Sequence, residues 1–322
     1  MDERQLGALT VSALGLGCMG FSQGYGPADD ERSITAIRRA VDLGVTLLDT
    51  AMSYGQGHNE TLVGRAVQGR RDRVVLATKF GIVRGPDGVR VDGRPERVRG
   101  YCEASLRRLG VDTIDLYYLH RVDPEVPVAD TVGAMGELVT EGKVRHLGLS
   151  EARPGQIASA AAVHPIAAVQ FEWSLAWREP EDDVVPAARR AGAGLVPYSP
   201  LGRGLLTGTR PAPTEGDFRS GDGRFHADNL TGNLALVDAV AKIAARRELT
   251  AGQLALAWLL AQGPDVVPIP GTRDPARIDQ NAAAAGVRLT PEDLAALAEA
   301  APREAWRGDR RSFAAHGVTR TR

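Results

Sequence analysis

Short apolar runs alternate with amphipathic stretches along almost the whole chain. The runs fall at residues 13–18, 46–49, 74–79, 114–120, 144–150, 167–171, 194–198 and 266–269, and several are nearly continuous in Val, Ile and Leu. Parallel strands covered by helices have this pattern. The intervening stretches carry helical spacing. In the first, Ile34, Ala36, Ile37, Ala40 and Val41 share one side, with Arg38, Arg39 and Asp42 opposite. Pro95-Glu96 opens another, with Val98, Tyr101, Leu106 and Leu109 as its apolar positions and Gly110 as its stop. Segments 131–141 and 184–191 end in the same manner, at Gly142 and Gly192. Eight strands alternating with helices give the α/β class, which this rhythm satisfies equally as a closed barrel or a doubly wound open sheet.

Residues 4–11 predict a small hairpin turning at Gly7-Ala8 and closing one end of a barrel. Residues 202–232 are rich in Gly, Pro, Thr and Asp without a period; a loop that long in a folded domain is read as functional. No low-complexity linker divides the chain, so residues 1–322 are expected to form a single domain.

Composition narrows the function. A formal net charge of −1 gives no basic face for nucleic acid. The arginine clusters at 70–73 and 307–311 are interrupted by Asp72 and Asp309 and read as solvated loops. Cys18 and Cys102 are the only cysteines, without a Cys-x-x-Cys spacing, which points to a reducing compartment and no structural metal. No signal-peptide pattern opens the chain, and no apolar run approaches the roughly 18 residues of a membrane span. A soluble cytoplasmic protein is expected, with no membrane partner. No heptad or exposed apolar stripe marks an interface, so monomer and homo-oligomer both remain open.

Gly15-Leu-Gly17-Cys-Met-Gly20 matches G-x-G-x-x-G, but Phe-Ser-Gln-Gly-Tyr-Gly-Pro follows and cannot open the helix a dinucleotide fingerprint needs. The stretch reads instead as a tight strand end approaching a ligand with its backbone. More informative are the lone ionisable residues that close successive apolar runs: Asp49, Lys79 and His120. In parallel α/β folds the C-terminal strand ends face the ligand. Tyr54 follows five residues after Asp49, close enough to fold over the same rim. The four groups combine chemically. A phenol is a sluggish acid, an ammonium beside it favours phenolate, a carboxylate keeps the ammonium charged, and a neutral imidazole orients a carbonyl oxygen. They supply a proton and charge stabilisation but no electrons, so a reducing cofactor is required.

Leu47-Leu-Asp49-Thr-Ala-Met-Ser-Tyr54-Gly55 followed by Asn59-Glu60 closely resembles the signature of the aldo-keto reductase superfamily. So do Ala77-Thr-Lys79-Phe-Gly, Asp115-Leu-Tyr-Tyr-Leu-His120 and Gly142-Lys-Val-Arg-His-Leu-Gly-Leu-Ser150. Val169-Gln170, Pro197-Tyr198-Ser-Pro-Leu-Gly202-Arg203-Gly204 and Ile269-Pro-Gly271-Thr272-Arg273 complete the series in the family's order, from about Leu6 to Ala300. The resemblance is to the bacterial and fungal short-loop branch that includes the potassium-channel β-subunits. It implies a (β/α)₈ TIM barrel with a short N-terminal hairpin, binding NADPH or NADP⁺ across its C-terminal rim and reducing a small carbonyl substrate. Asp49, Tyr54, Lys79 and His120 are then the catalytic tetrad, with Tyr54 the general acid. Ser150 and Gln170 correspond to the partners of the nicotinamide carboxamide, and Tyr198 to the ring stacked beneath it. Met19 falls at the cofactor, and Leu201, Gly202 and Arg203 along the pyrophosphate. Gly271, Thr272, Arg273 and Arg277 match the 2′-phosphate grip, with Gln280 and Asn281 around adenine. Gln280 departs from the Glu common in relatives and loses its charge. Trp173 and Trp177 are candidates for the carbonyl pocket or for core packing. Loops 81–94 and 202–232 and the tail 306–322 would shape substrate choice. The channel β-subunits add a rival expectation, a regulatory NADPH binder with slow turnover.

Overall fold

In a computed structural model, which describes residues 1–85, 88–211 and 217–310, the apolar runs become short strands and the amphipathic stretches become helices. The chain opens with the expected hairpin, β1 (Glu3–Leu6) and β2 (Leu9–Ser12), turning through Gly7 at φ 56°. Next come β3 (Leu16–Gly17), α1 (Asp30–Asp42), β4 (Leu47–Asp49), α2 (His58–Val67) and β5 (Val75–Phe80). A second hairpin, β6 (Ile82–Gly85) and β7 (Gly88–Val91), lies within the 81–94 loop, of which Pro86 and Asp87 fall outside the described residues. The alternation continues with α3 (Pro95–Leu109), β8 (Ile114–Leu119), α4 (Val128–Thr140), β9 (Val144–Ser150), α5 (Pro154–Ala161), β10 (Ile166–Glu172), α6 (Val184–Arg190) and β11 (Gly194–Tyr198). The helices α7 (Ala227–Ala245), α8 (Ala251–Leu260), α9 (Pro275–Ala283) and α10 (Pro291–Ala300) complete it. Gly110, Gly142 and Gly192 take the positive φ expected just past helix ends. Among the described residues no helix is long and apolar enough to cross a membrane.

Strands β3, β4, β5, β8, β9, β10 and β11 pair side by side in that order, all parallel. Residues 265–270 close the circle, although they are not a regular strand. Toward β11, the amides of Val267 and Ile269 donate to the carbonyls of Leu195 and Pro197, and Leu195 donates to Asp265. Toward β3, Gly15 and Gly17 donate to the carbonyls of Pro268 and Pro270, which have no N–H to return. Half a ladder on that side explains why the eighth apolar run forms barrel wall without strand geometry. The first run likewise shrinks from the expected 13–18 to Leu16–Gly17. Its glycines allow the close approach at this seam. A Cβ on Gly17 would sit 2.8 Å from the Ile269 carbonyl oxygen, and one on Gly15 3.0 Å from that of Leu47. A single 3₁₀ turn, Met19–Phe21, follows in place of a helix.

Alternation along each strand sorts the core into two layers. Leu47, Ala77, Leu116, Tyr118, Ala168, Val196, Val267 and Ile269 fill the barrel, where Leu6, Leu9 and Val11 of the hairpin join them. Leu6 packs on Gly194 at the start of β11, so the hairpin plugs the N-terminal end. Leu48, Leu76, Tyr117, Leu119, Leu147 and Leu149 face the helices with Ile34, Ile37 and Val41 of α1. Burying each of these large side chains contributes about 1.5–3 kcal/mol. The expected aperiodic loop 202–232 contains three 3₁₀ turns and the first residues of α7; residues 212–216 lie outside the described ones.

The seam gives a stability prediction. Gly17→Ala should destabilise the fold by about 1–3 kcal/mol through overpacking of the β3 closure. Gly133→Ala, in open space on α4, should stabilise it by about 0.5–1 kcal/mol. Urea unfolding of both variants checks the pair.

Candidate active site

Strand parity aims the site. Asp49 shares the inward parity of Leu47, Lys79 that of Ala77, His120 that of Leu116 and Tyr118, Ser150 that of Gly148, Gln170 that of Ala168, and Tyr198 that of Val196. All six lie within two residues of the C-terminal ends of their strands. Tyr54 comes from the loop after β4. There Gly55, Gln56 and Gly57 take positive φ in succession, folding the chain back before α2 begins.

The four groups expected to act together are together. Lys79, fully buried, donates from Nζ to Asp49, to the Thr50 carbonyl at 2.9 Å and to the Tyr54 hydroxyl at 3.4 Å. The Tyr54 and His120 rings meet edge to face at 5.8 Å, and Ser53 Oγ lies 3.4 Å from His120 Nδ1. Desolvation opposes the ammonium of Lys79, but Asp49 and Tyr54 outweigh it and hold its pKa above the ordinary value. For Tyr54 the expected lowering does not occur. Burial pushes the phenol up, and Lys79 offsets only part of that, so Tyr54 is held firmly protonated. His120 lies well below an ordinary imidazole, through burial first and then Arg121 and Lys79. It is neutral at physiological pH.

The Asn59-Glu60 pair supports this group from behind. Asn59 accepts from Thr50 Oγ1 at 2.6 Å and donates to the Cys18 carbonyl at 2.9 Å, fixing the backbone whose carbonyl holds Lys79. Glu60 accepts from Thr78 Oγ1 and from Arg108 Nε, both at 2.6 Å.

The other expected residues separate into those presented to the rim and those already engaged. Gln170 donates from Nε2 to Asp49 at 2.8 Å, and Ser150 Oγ accepts from Arg121 at 3.1 Å. Tyr198 is half-buried, its hydroxyl donating to Glu151 at 2.8 Å. Met19 is half-buried beside Gly24. Leu201, Gly202 and Arg203 enter a 3₁₀ turn in which Gly202, Arg203 and Gly204 all have positive φ. The Arg203 side chain is buried, 3.1 Å from Glu172 and 3.5 Å from Asp222, where buried carboxylates need counter-ions. Arg273 is likewise engaged: it donates to the carbonyls of Gly20 at 2.6 Å, Tyr25 at 3.2 Å, Gly26 at 2.9 Å and Pro27 at 2.7 Å. A fork holding four carbonyls braces that loop. Arg277, half exposed at 3.9 Å from Asp274, stands with Thr272 at the N-terminus of α9 next to Gly271. Gln280 is exposed there and Asn281 half-buried.

Some functional surroundings were missed. Arg310, expected in a solvated loop, is buried against Glu151 and Glu172; its neighbour Arg311 and the rest of the tail lie outside the described residues. Arg71 bridges to the buried Asp115 at 2.7 Å rather than facing solvent alone. Glu172 closes the β10 run as Asp49 closes β4, so the rule that singled out Asp49, Lys79 and His120 also reaches it. Arg224 and Asp222, in the loop, carry no such signal. Trp173 is core: its Nε1 donates to Glu181 at 2.9 Å and its ring meets Trp258. Trp177 lines a cavity of about 650 Å³ with Phe171, Trp306 and Arg310, a lining that includes none of Asp49, Tyr54, Lys79 and His120. The loop at Gly24-Tyr25 meets the long loop, with Tyr25 edge-on to Phe218 at 4.7 Å and the Phe218 amide donating to Gly24 at 3.2 Å. Among the described residues no His, Cys, Asp or Glu cluster is arranged to hold a metal.

A depressed imidazole pKa couples to stability. Below about pH 6.5 the unfolded chain takes up a proton that the folded His120 refuses, so stability should fall as pH drops through that window. Denaturant unfolding across this range should show a shallower pH slope for His120→Gln than for the wild type.

Comparison with known proteins identifies the family. The model of the aldo/keto reductase family matches residues 13–302. A probable aldo-keto reductase from Glycine max is 47% identical over 298 residues, covering 91% of this chain and 86% of its own. A glycerol dehydrogenase from Gluconobacter oxydans superposes with TM-score 0.86 at 32% identity, over 100% of this chain and 98% of its own. An aldo-keto reductase from Klebsiella pneumoniae, solved in complex with NADPH, gives TM-score 0.72 at 31% identity over 94% and 96% of the two chains. The chain belongs to the aldo/keto reductase family, the NADP(H)-dependent oxidoreductases.

Proposed function

We propose that this oxidoreductase reduces an aldehyde or ketone to the alcohol with NADPH, and that Tyr54 is the general acid. The observation carrying this reading is the Tyr54 hydroxyl 3.4 Å from Lys79 Nζ, above a buried ammonium–carboxylate pair at the mouth of the barrel. NADPH, when bound, supplies the hydride.

The residues on the rim fit a dinucleotide. Ser150 and Gln170 offer a hydroxyl and an amide for the carboxamide, and Tyr198 offers an aromatic face. Positive φ at Gly202, Arg203 and Gly204 turns the chain sharply after β11, and Leu201, Gly202 and Arg203 would lie along the pyrophosphate. Thr272 and Arg277 beside Gly271, at the start of α9, suit a 2′-phosphate, which NADH lacks. Arg273 supports that grip by holding the loop opposite. Met19 lines the same course, and Gln280 and Asn281 receive the adenine.

Proton chemistry belongs to the chain's own residues. Tyr54, kept neutral by burial, gives its proton to the carbonyl oxygen as negative charge grows there. Lys79, kept charged by Asp49, stabilises the phenolate left behind. Ser53 Oγ lies 3.4 Å from His120 Nδ1, and in the tautomer protonated on Nε2 the hydroxyl donates to Nδ1 while Nε2 donates to the same substrate oxygen.

Two experiments test the reading. Loss of absorbance at 340 nm with a panel of aldehydes should be brisk, and Tyr54→Phe should lower kcat by ~10²-fold or more while NADPH still binds. Near-wild-type turnover in that variant removes Tyr54 from its role, and negligible turnover of the wild type with tightly held cofactor favours a regulatory binder. Arg277→Ala should weaken NADPH roughly ten- to a hundred-fold with little effect on NADH; equal losses refute the phosphate grip.

A further inference from the structure

Arg310 sits at the end of the described chain, yet it is 5% exposed. The segment that delivers it is fixed. Asn233 of α7 donates to the Arg307 carbonyl at 2.9 Å and accepts from the Arg307 amide at 2.8 Å. Gly308 lies so close to the 223–224 backbone that a Cβ would come within 2.4 Å of the Arg224 nitrogen.

From there the guanidinium reaches three groups. It donates to the Tyr198 hydroxyl at 2.6 Å and to Glu151 Oε1 at 3.0 Å, and pairs with Glu172 at 3.0 Å. Tyr198 donates to the same Glu151 oxygen, which also accepts the Glu172 amide at 3.2 Å. The Tyr198 hydroxyl is therefore held at two points while the ring remains part of the rim. Beside it, the guanidinium carbon lies 5.9 Å from the Tyr198 ring centre and 5.4 Å from that of Trp177. Glu151 reaches this position with φ 56°, a left-handed backbone that is unfavourable for a residue with a β-carbon and persists where surroundings enforce it. Burial disfavours its charge, and Arg310, ahead of Arg121 and the Tyr198 hydroxyl, restores it.

We propose that Arg310 is a positioning residue which, with Glu151, sets the attitude of the Tyr198 ring and makes the C-terminal segment part of the nicotinamide site. This rests on Tyr198 being the nicotinamide platform, as argued above. Loss of Arg310 acts locally: Glu172 keeps Arg203 and Arg224 as partners, whereas Glu151 loses its foremost cation.

The test compares two nucleotides by calorimetry: NADP⁺ and adenosine 2′,5′-bisphosphate, which shares the adenosine end but has no nicotinamide. Arg310→Met should bind NADP⁺ roughly ten-fold more weakly and the bisphosphate as the wild type does, with Arg310→Lys recovering part of the loss. Tyr198→Phe, which keeps the ring without its held hydroxyl, should show the same selective loss and stands in if the Met variant does not fold. Equal weakening of both nucleotides, or unchanged NADP⁺ binding in both variants, overturns the positioning role. Wild-type protein that binds NADP⁺ no more tightly than the bisphosphate overturns the placement of nicotinamide on Tyr198 itself.

Discussion

A strand in a closed barrel turns every second side chain inward, and at the C-terminal end there is no further layer of apolar residues to receive it. In this chain Asp49, Lys79, His120, Ser150, Gln170 and Tyr198 all continue an inward series begun by Leu47, Ala77, Leu116, Gly148, Ala168 and Val196. Parity and strand length alone bring six polar groups from separate strands to one opening. The Asn59 contact with Thr50 and the left-handed turn at Gly55–Gly57 then add Tyr54 from outside the sheet.

Placing charge there has a cost, and the rim meets it with two buried networks. One is the Asp49–Lys79 pair, which lets an ammonium survive fully buried below a phenol. The other joins Glu151, Glu172 and Asp222 to Arg203, Arg224 and Arg310. Its arginines are paired with carboxylates, whereas Arg277 at the start of α9 stays exposed. Removing one member of such a network leaves an uncompensated charge, so its members are held in fixed geometry. The second network lies beside the Tyr198 ring and ties it to the long loop and the C-terminal segment.

The chain by itself determined the α/β rhythm, the helix stops at Gly110, Gly142 and Gly192, the opening hairpin and the tetrad. Each of these is local, because a period, a turn residue or a lone charge ending an apolar run carries its own physical reason. Tertiary structure alone decided that Pro268 and Pro270 close the barrel with half a ladder, and that Gly15 and Gly17 serve that seam. It also decided that burial outweighs Lys79 at Tyr54, that Arg203 and Arg273 serve carboxylates and carbonyls, and that Arg310 is buried. A guanidinium looks the same in sequence whether it faces water, phosphate or carboxylate. Its partner is chosen by which distant backbone folds against it, and desolvation depends on neighbours that strand order, not letter order, brings together.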